Sequence, residues 1–135
     1  MLSKKTRYAM VALVYLAKGE PGKAVMSTEI AQNEKIPQRF LENILLELKN
    51  MGILGSKIGK SGGYQLIKKP ADIKLSEIIR HFEGAISMLY CISEKQYQPC
   101  EFCKDEETCK IRGVFKEVRD STNKILDKTT LQDLI

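Results

Sequence analysis

All four cysteines of the chain lie within 19 residues, in the pattern Cys91-x8-Cys100-x2-Cys103-x5-Cys109. Thiolates bind soft metals and iron–sulfur clusters, and several of them must converge within a few ångströms, which a single loop achieves readily. Only Cys100 and Cys103 have the Cys-x2-Cys spacing, so the two such halves of a zinc finger are absent. The window predicts a metal or cluster site, with a structural zinc ion, disulfides and reduced thiols as alternatives.

Residues for catalysis are scarce outside this window. His81 is the only histidine, and no Ser or Cys nucleophile with an orienting carboxylate accompanies it. No glycine-rich phosphate loop joins a strand to a helix, and no histidine pair offers a metal site. We therefore expect a protein that is not an enzyme, and we assign His81 no role.

Charge divides the chain into two unlike halves. Residues 1–70 hold 12 Lys and Arg against 5 Asp and Glu, a net charge of +7, whereas residues 71–135 hold 10 against 12, a net charge of −2. Like charges concentrated on one part of a protein favour the approach of a polyanion before any contact forms. The first half is expected to bind nucleic acid, and a solvated charged surface is the alternative.

Two short helices in the basic half have the arrangement of a helix-turn-helix. A first helix is expected from Ser3 to the turn at Gly19–Gly22, and a second after Ser27 and Thr28 as candidate caps. Apolar residues recur at helical spacing between Pro37 and Asn50, with Pro37 in the first turn. Only a few residues separate this third helix from the second, as in DNA-binding helix pairs.

A β-hairpin is predicted directly after the third helix. Strands are expected over Leu54–Ile58 and Gly63–Ile67, around a loop whose glycines permit positive φ. A basic hairpin in this place can act as the wing of a winged helix, and a hairpin that only packs on the helices is the alternative. A fourth helix is expected over Leu75–Phe82, capped by Ser76 or Asp72 and ended near Gly84.

The fold class that follows is mainly α with a small β-hairpin: a winged helix-turn-helix DNA-binding domain plus a long C-terminal dimerisation helix. The expected segments are residues 1–84 for DNA binding, 85–110 for a cysteine-containing sensor loop, and 111–135 for the dimerisation helix and C-terminal segment. A single apolar stripe on so long a helix favours a second copy of the chain as partner. Packing onto the chain's own first helix is the alternative, and the two arrangements are compatible.

Eight polar residues are candidate DNA contacts. Those in the first turns of the third helix can reach base edges, where Arg pairs with guanine, Gln and Asn with adenine, and Glu with cytosine. Lysines of the first helix and of the wing can contact phosphates without reading sequence. The base-reading candidates are Gln38, Arg39, Glu42 and Asn43, and the phosphate-binding candidates are Lys4, Lys5, Lys57 and Lys60.

The longest apolar run, Tyr8–Ala17, has ten residues, about half of the ~20 that a membrane span needs. No membrane partner is expected. The same run behind three cations imitates a signal peptide, so a secreted disulfide domain is one alternative. A small iron–sulfur or zinc redox protein with a basic protein-binding face is another.

Several segments resemble bacterial winged-helix regulators of the iron–sulfur cluster regulator family, of the IscR, NsrR and CymR types. The resemblance covers essentially the whole chain and is carried by Arg7–Ala9, Ile36–Glu42, Leu45–Lys49, Gly52–Leu54, Ser61–Leu66 and Cys109–Phe115. It implies a homodimeric, cytoplasmic transcription regulator that binds a pseudo-palindromic operator in double-stranded DNA.

The resemblance also implies what the cysteines do. Cys91, Cys103 and Cys109 match the three cysteines that hold an iron–sulfur cluster, expected to be of the 2Fe-2S type, while Cys100 is an additional candidate ligand. Other members of the family bind no cluster, so zinc or bare thiols are the alternatives. Glu42 matches a glutamate with which members of the family read a base.

Overall fold

The computed structural model describes residues 1–135 and contains five helices and one hairpin. The helices are α1 (Lys4–Lys18), α2 (Ser27–Glu34), α3 (Gln38–Asn50), α4 (Leu75–Glu83) and α5 (Lys110–Lys128). The strands are β1 (Leu54–Lys57) and β2 (Gly63–Leu66), and three short 3-10 turns cover Pro70–Asp72, Tyr90–Ile92 and Leu131–Leu134. The winged-helix fold class expected from the sequence is confirmed, with element boundaries that shift by a few residues.

One hydrophobic core joins α1, α2, α3, β1 and α4. Its centre is the apolar stripe of α3, in which Leu41, Ile44, Leu45 and Leu48 are fully buried. Residues of α1 and α4, among them Leu13 and Ile78, pack into the same cluster. Burial of each such side chain stabilises the fold by about 1.5–3 kcal/mol, so the core fixes the orientation of α3.

The ends of three helices differ from expectation. Met26 rather than Ser27 caps α2, and Pro37 is the N-cap of α3 rather than its first residue. The Ser27 hydroxyl is instead bound by Gln38, 2.8 Å away, which removes it from the capping role. Neither Asp72 nor Ser76 caps α4, because Lys74 takes that position and Ser76 lies buried inside the helix.

The C-terminal segment is fastened to the start of α4. The amide of Leu75 donates to the carbonyl of Thr129, and the amide of Leu131 donates to the carbonyl of Ile73, both at 2.9 Å. Leu131 is buried in the core beside α1. The last residues therefore contribute to the hydrophobic core, while α5 itself packs on α4 and the 3-10 turn Tyr90–Ile92.

The hairpin is tied to the rest of the domain through the segment before α2. β1 and β2 pair antiparallel, with Leu54 opposite Leu66 and Lys57 opposite Gly63. On the other edge of β2, Tyr64 also exchanges two backbone hydrogen bonds of 2.8 Å with Val25. We call residues 54–66 the wing; it is held on both sides rather than by its turn alone.

Gly63 is the residue on which this attachment depends. Its φ of +132° disfavours other residues, and a Cβ there would lie 2.2 Å from the Val25 carbonyl oxygen. Gly59 has a comparable φ of +112° but open space around it. Gly59→Ala should therefore cost only backbone strain, about 1 kcal/mol, whereas Gly63→Ala should cost about 3 kcal/mol through strain and loss of the Val25 pairing. Urea unfolding of the two variants measures the difference, and equal losses would contradict the close approach.

Candidate nucleic-acid interface and cysteine cavity

The turn between α2 and α3 is short and well defined. Lys35 ends α2 in the left-handed conformation, at φ 54° and ψ 43°, and the buried Ile36 follows. These two residues form the connection that sets the angle between α2 and α3. Because one face of α3 is fully buried, its other face is presented to solvent, and Arg39, Glu42 and Asn43 lie exposed there.

Gln38 belongs to a small polar cluster at the start of α3. Its Nε2 donates to the Ser27 hydroxyl at 2.8 Å and to Oε1 of Glu42 at 3.0 Å. The hydroxyl of Ser27 lies 3.4 Å from the same carboxylate oxygen. The cluster orients two of the four base-reading candidates. It also adds Ser27, for which the sequence indicated only a capping role. Its partner Gln38 lies 11 residues further along the chain, so no local pattern predicts the contact.

The four candidate phosphate-binding lysines have different surroundings. Lys4, Lys57 and Lys60 are exposed. The ammonium of Lys5, in contrast, is bound to the carboxylate of Glu47 in α3 and lies 5.5 Å from the centre of the Phe82 ring. Lys5 thus links α1 to α3 through a partly exposed ion pair, and binding a phosphate would compete with this contact.

Glu47 connects three helices. Besides Lys5 of α1, it meets Nε2 of His81 in α4 at 3.0 Å. The hydrogen bond from Lys5 is the main cause that lowers the pKa of Glu47 below its ordinary 4.5; partial burial opposes the shift, and His81 adds to it. The lone histidine therefore contacts the carboxylate that helps to hold α3 against α1 and α4.

A pH dependence of stability follows from Glu47. Because its pKa is lowered in the folded state, its ionised form stabilises the fold above the unfolded pKa, and this contribution disappears as the pH falls through the folded one. Glu47→Gln should therefore be less stable than the natural protein at pH 6, with a difference that narrows towards pH 3. Lys5→Met removes the main cause of the shift and should show the same trend. Urea midpoints across this range test it, and a gap that stays constant with pH would contradict it.

The four cysteines line one cavity of about 540 Å³, beside Phe102 and Arg112. Cys91 is buried, Cys100 is exposed, and Cys103 and Cys109 are half-buried; all four thiols are free. Desolvation, followed by the neighbouring Cys109, raises the pKa of the Cys103 thiol. Folding therefore brings the whole cysteine window of the sequence to a single site.

The cavity has the donor chemistry of a cluster site without its closed geometry. Thiol groups are the donors that iron–sulfur clusters use, and the volume admits a group larger than a single metal ion. No three Cys, His, Asp or Glu side chains converge to the distances of a metal-ion site. The donor set fits a cluster, and the loop would have to draw its thiols together to bind one.

Helix α5 is joined to the cysteine site at three points. Cys109 is its N-cap, with the thiol accepting from the Arg112 amide at 3.4 Å. The Arg112 side chain reaches the Cys91 carbonyl at 3.4 Å. Two turns further on, the Arg119 guanidinium, whose side chain is only 12% exposed, donates to the Ile92 carbonyl. These contacts join both the Cys91 turn and Cys109 to α5.

The arginine contacts should protect Cys91 from thiol reagents. Arg119→Met removes the hydrogen bond to Ile92 while keeping a long side chain, and we expect Cys91 to react several-fold faster as its turn opens more often. Labelling of the free thiols, followed residue by residue by mass spectrometry, measures this rate. The exposed Cys100 serves as internal control and should react at an unchanged rate. Equal acceleration of both cysteines would indicate general unfolding instead.

The outer face of α5 carries apolar side chains that are largely exposed. None of its residues is buried, and four apolar side chains on it are exposed: Ile111, Val114, Val118 and Ile125. Helix α5 packs on α4, and the four side chains of the stripe stay exposed beside this contact. No helix of the chain has both the length and the apolar content that crossing a bilayer requires.

These features define the class of protein: a DNA-binding transcription regulator with a winged helix-turn-helix. The sequence matches the Rrf2 family, described as iron-dependent transcriptional regulators, over residues 2–135. The chain belongs to this family. An rrf2-like regulator of Rhodobacter capsulatus is 43% identical over 100% of this chain and 92% of its own length.

Solved structures agree with this assignment. CymR, the global cysteine regulator of B. subtilis, matches with a TM-score of 0.82 at 30% identity, over 99% of this chain and 95% of that one. IscR of T. potens matches with a TM-score of 0.75 at 27% identity, over 99% and 85%. The family resemblance and the expectation that the chain is not an enzyme are confirmed, and the assignment favours a regulator over the redox-carrier and secreted-domain alternatives.

Proposed function

We propose that this Rrf2-family regulator binds a two-fold symmetric operator as a homodimer and that its cysteine cavity reports the redox or iron–sulfur state of the cell. The observation that carries the proposal is the cavity itself, because all four cysteines line it together with the first turn of α5. The same helix carries the uncovered apolar stripe. Sensing and dimerisation would therefore share one helix. Such a protein would act in the cytoplasm, where its operator is found.

The proposed dimer contact is the stripe Ile111, Val114, Val118 and Ile125. Exposed apolar side chains along one face of a long helix are stabilised by burial against an identical face of a second copy. In a dimer that binds DNA, the two α3 helices must stand one turn of the duplex apart, ~34 Å. A rotation or shift of α5 changes this separation, so affinity for the operator would follow the state of the loop.

The proposed DNA surface consists of the exposed start of α3 and the wing. Arg39 and Asn43 are exposed on α3, while Gln38 and Glu42 hold each other in place through the contacts with Ser27. Lys4, Lys57 and Lys60 would contact phosphates. Lys5 would contribute less, because its ammonium must first leave Glu47. Removing Lys5 would therefore disturb α3 as well as the charge.

The cluster expectation is part of this proposal. Cys91, Cys103 and Cys109 would hold an iron–sulfur cluster of the 2Fe-2S type, with Cys100 as candidate for the remaining position. When bound, such a cluster would supply a redox-active group held by iron–thiolate bonds. A change at the cluster would reach α5 through residues of this chain. Cys109 caps α5, and Arg112 and Arg119 bind the backbone of the Cys91 turn.

DNA binding can be tested by selecting duplexes from a random 30-base-pair pool with the full-length protein. On the selected duplex, Arg39→Ala should lose ~1–3 kcal/mol, as expected for a guanine contact, and lose little on random DNA. Lys57→Ala with Lys60→Ala should weaken both duplexes alike and make the salt dependence shallower by about two units, one per phosphate contact. Lys128→Ala, in the last turn of α5, is the matched control. Failure to enrich any sequence would contradict the proposed function.

The sensor role is tested separately, with protein purified without oxygen. We expect iron and sulfide in the sample and an iron–sulfur absorption spectrum that Cys91→Ser, Cys103→Ser and Cys109→Ser each abolish, because a cluster loses geometry and charge balance with any one ligand. Operator affinity at fixed salt should differ between the anaerobic, oxidised and Ser forms. Equal affinities, in a protein without iron, sulfide or zinc, would contradict a sensor role and leave the cysteines structural.

A further inference from the structure

Cys100 and Cys103 stand at the two ends of one tight turn. The amide of Cys103 donates to the carbonyl of Cys100 at 3.1 Å, with Glu101 and Phe102 between them. A hydrogen bond of this kind marks a β-turn, whose end residues have Cα atoms less than about 7 Å apart. A disulfide joins residues whose Cα atoms are about 4.4–6.8 Å apart. The backbone therefore holds the two cysteines within the reach of a disulfide.

The two thiols share one cavity and differ in their access to solvent. Both residues line the cysteine cavity, where Cys100 is exposed and Cys103 is half-buried. Desolvation raises the pKa of the Cys103 thiol, and Cys109 and Cys100 raise it further because they are near neighbours. A dissolved reagent would thus meet Cys100 first and find Cys103 close behind it.

Contacts at the base of the segment 98–105 separate this turn from the rest of the site. The Tyr97 hydroxyl donates to the Glu106 carboxylate, and the Gln98 amide donates to the Tyr90 carbonyl at 3.2 Å. These contacts hold the segment on both sides of the turn. A bond between the two ends of the turn would therefore form without moving the residues that flank it.

Cys109, the other neighbour of Cys103, is engaged elsewhere. Its thiol is the N-cap of α5 and accepts from the Arg112 amide at 3.4 Å. A second turn lies between the two cysteines, in which the Asp105 carboxylate accepts from the Thr108 hydroxyl at 3.1 Å. A bond from Cys103 to Cys109 would disturb both contacts, whereas closing the first turn disturbs neither.

We propose that Cys100 and Cys103 form a disulfide in the cluster-free protein, by exchange with a small-molecule disulfide. The Cys100 sulfur attacks one sulfur of the reagent, the S–S bond of the reagent breaks, and one small thiol leaves with a proton. The Cys103 sulfur then attacks the Cys100 sulfur and expels the second small thiol, which takes the other proton. The two protein sulfurs lose two electrons in total, and the reagent is reduced to two thiols.

The consequence of this disulfide rests on the proposed function. Cys103 is one of the three proposed cluster ligands, and a metal ligand must be a thiolate rather than a sulfur bound in a disulfide. The disulfide would leave only Cys91 and Cys109 of the three, so the protein would hold no cluster until the disulfide is reduced. Cys100 would thereby make cluster binding depend on the thiol–disulfide balance of the cell.

The test follows the thiols on separate peptides. Full-length protein is stripped of metal with a chelator and a reductant, desalted and incubated with oxidised glutathione, after which free thiols are alkylated. Trypsin then places Cys100 and Cys103 together on one peptide and the other two cysteines on separate peptides, because it cleaves after Lys95, Lys104 and Lys110. We expect the shared peptide to lose two hydrogens and stay unalkylated, while the other two are mostly alkylated. A main product that links Cys103 to either of the other peptides would overturn the inference.

Serine variants show which thiol acts at which step. Cys103→Ser should stop after the first step, so that several-fold more glutathione stays on Cys100 than in the natural protein. Cys91→Ser and Cys109→Ser are the matched controls and should form the disulfide as the natural protein does. If Cys103→Ser carries no more glutathione on Cys100 than the natural protein, Cys103 does not complete the exchange and the inference is overturned.

A second measurement separates this inference from the proposed function. In protein that was purified without oxygen and contains iron and sulfide, the disulfide should form several-fold more slowly than in stripped protein, because Cys103 is then a ligand. Equal rates would overturn the competition between cluster and disulfide. If iron and sulfide are present but stripped protein forms no Cys100–Cys103 disulfide, this inference is overturned and the proposed function stands. If the disulfide forms in a protein purified without iron, sulfide or zinc, the disulfide is upheld and the cluster part of the proposed function fails.

Discussion

The one-sided burial of α3 is the constraint on which the rest of the molecule depends. Leu41, Ile44, Leu45 and Leu48 occupy the centre of the core, and close-packed interiors allow such side chains little rotation. The opposite face of the helix is thereby directed to solvent as a fixed surface. Three contacts join the proposed DNA surface to this helix: Ser27 contacts Gln38, Lys5 contacts Glu47, and the Lys49 ammonium of α3 donates to the Ser56 hydroxyl of the wing.

A second set of contacts connects the cysteine cavity to α5. Arg112 and Arg119 bind consecutive carbonyls, those of Cys91 and Ile92, so that one helix holds the turn carrying the buried cysteine. Hydrogen bonds from guanidinium groups to carbonyls in a partly dry environment are stronger than neutral ones. At the other end of α5, residues 129–131 are fastened to the start of α4. The helix therefore lies between the cysteine cavity and the start of α4, with contacts to both.

The two halves of the chain differ in charge. The basic excess of residues 1–70 includes the exposed lysines of α1 and the wing. Not all of these cations are unpaired, because Lys5 forms an ion pair with Glu47. The second half, which is slightly acidic, contains the cavity and the apolar stripe of α5. Charge in the first half of the chain thus favours a polyanionic partner, whereas the uncovered apolar area in the second half favours a protein partner.

Local signals in the sequence were enough to predict the helices, the hairpin and the family. Helical periodicity placed α3 and α4 to within one or two residues, paired glycines located the wing, and the cysteine spacing identified the one unusual segment, because these are signals between near neighbours in the chain. Tertiary structure alone decided what distant residues do. Ser27 faces Gln38 instead of capping α2, Lys5 is occupied by Glu47, His81 acquires a carboxylate partner, and Arg119 reaches Ile92 across 27 positions. Side-chain partners of this kind are set by how helices pack against each other, and packing depends on the whole core at once rather than on any local pattern.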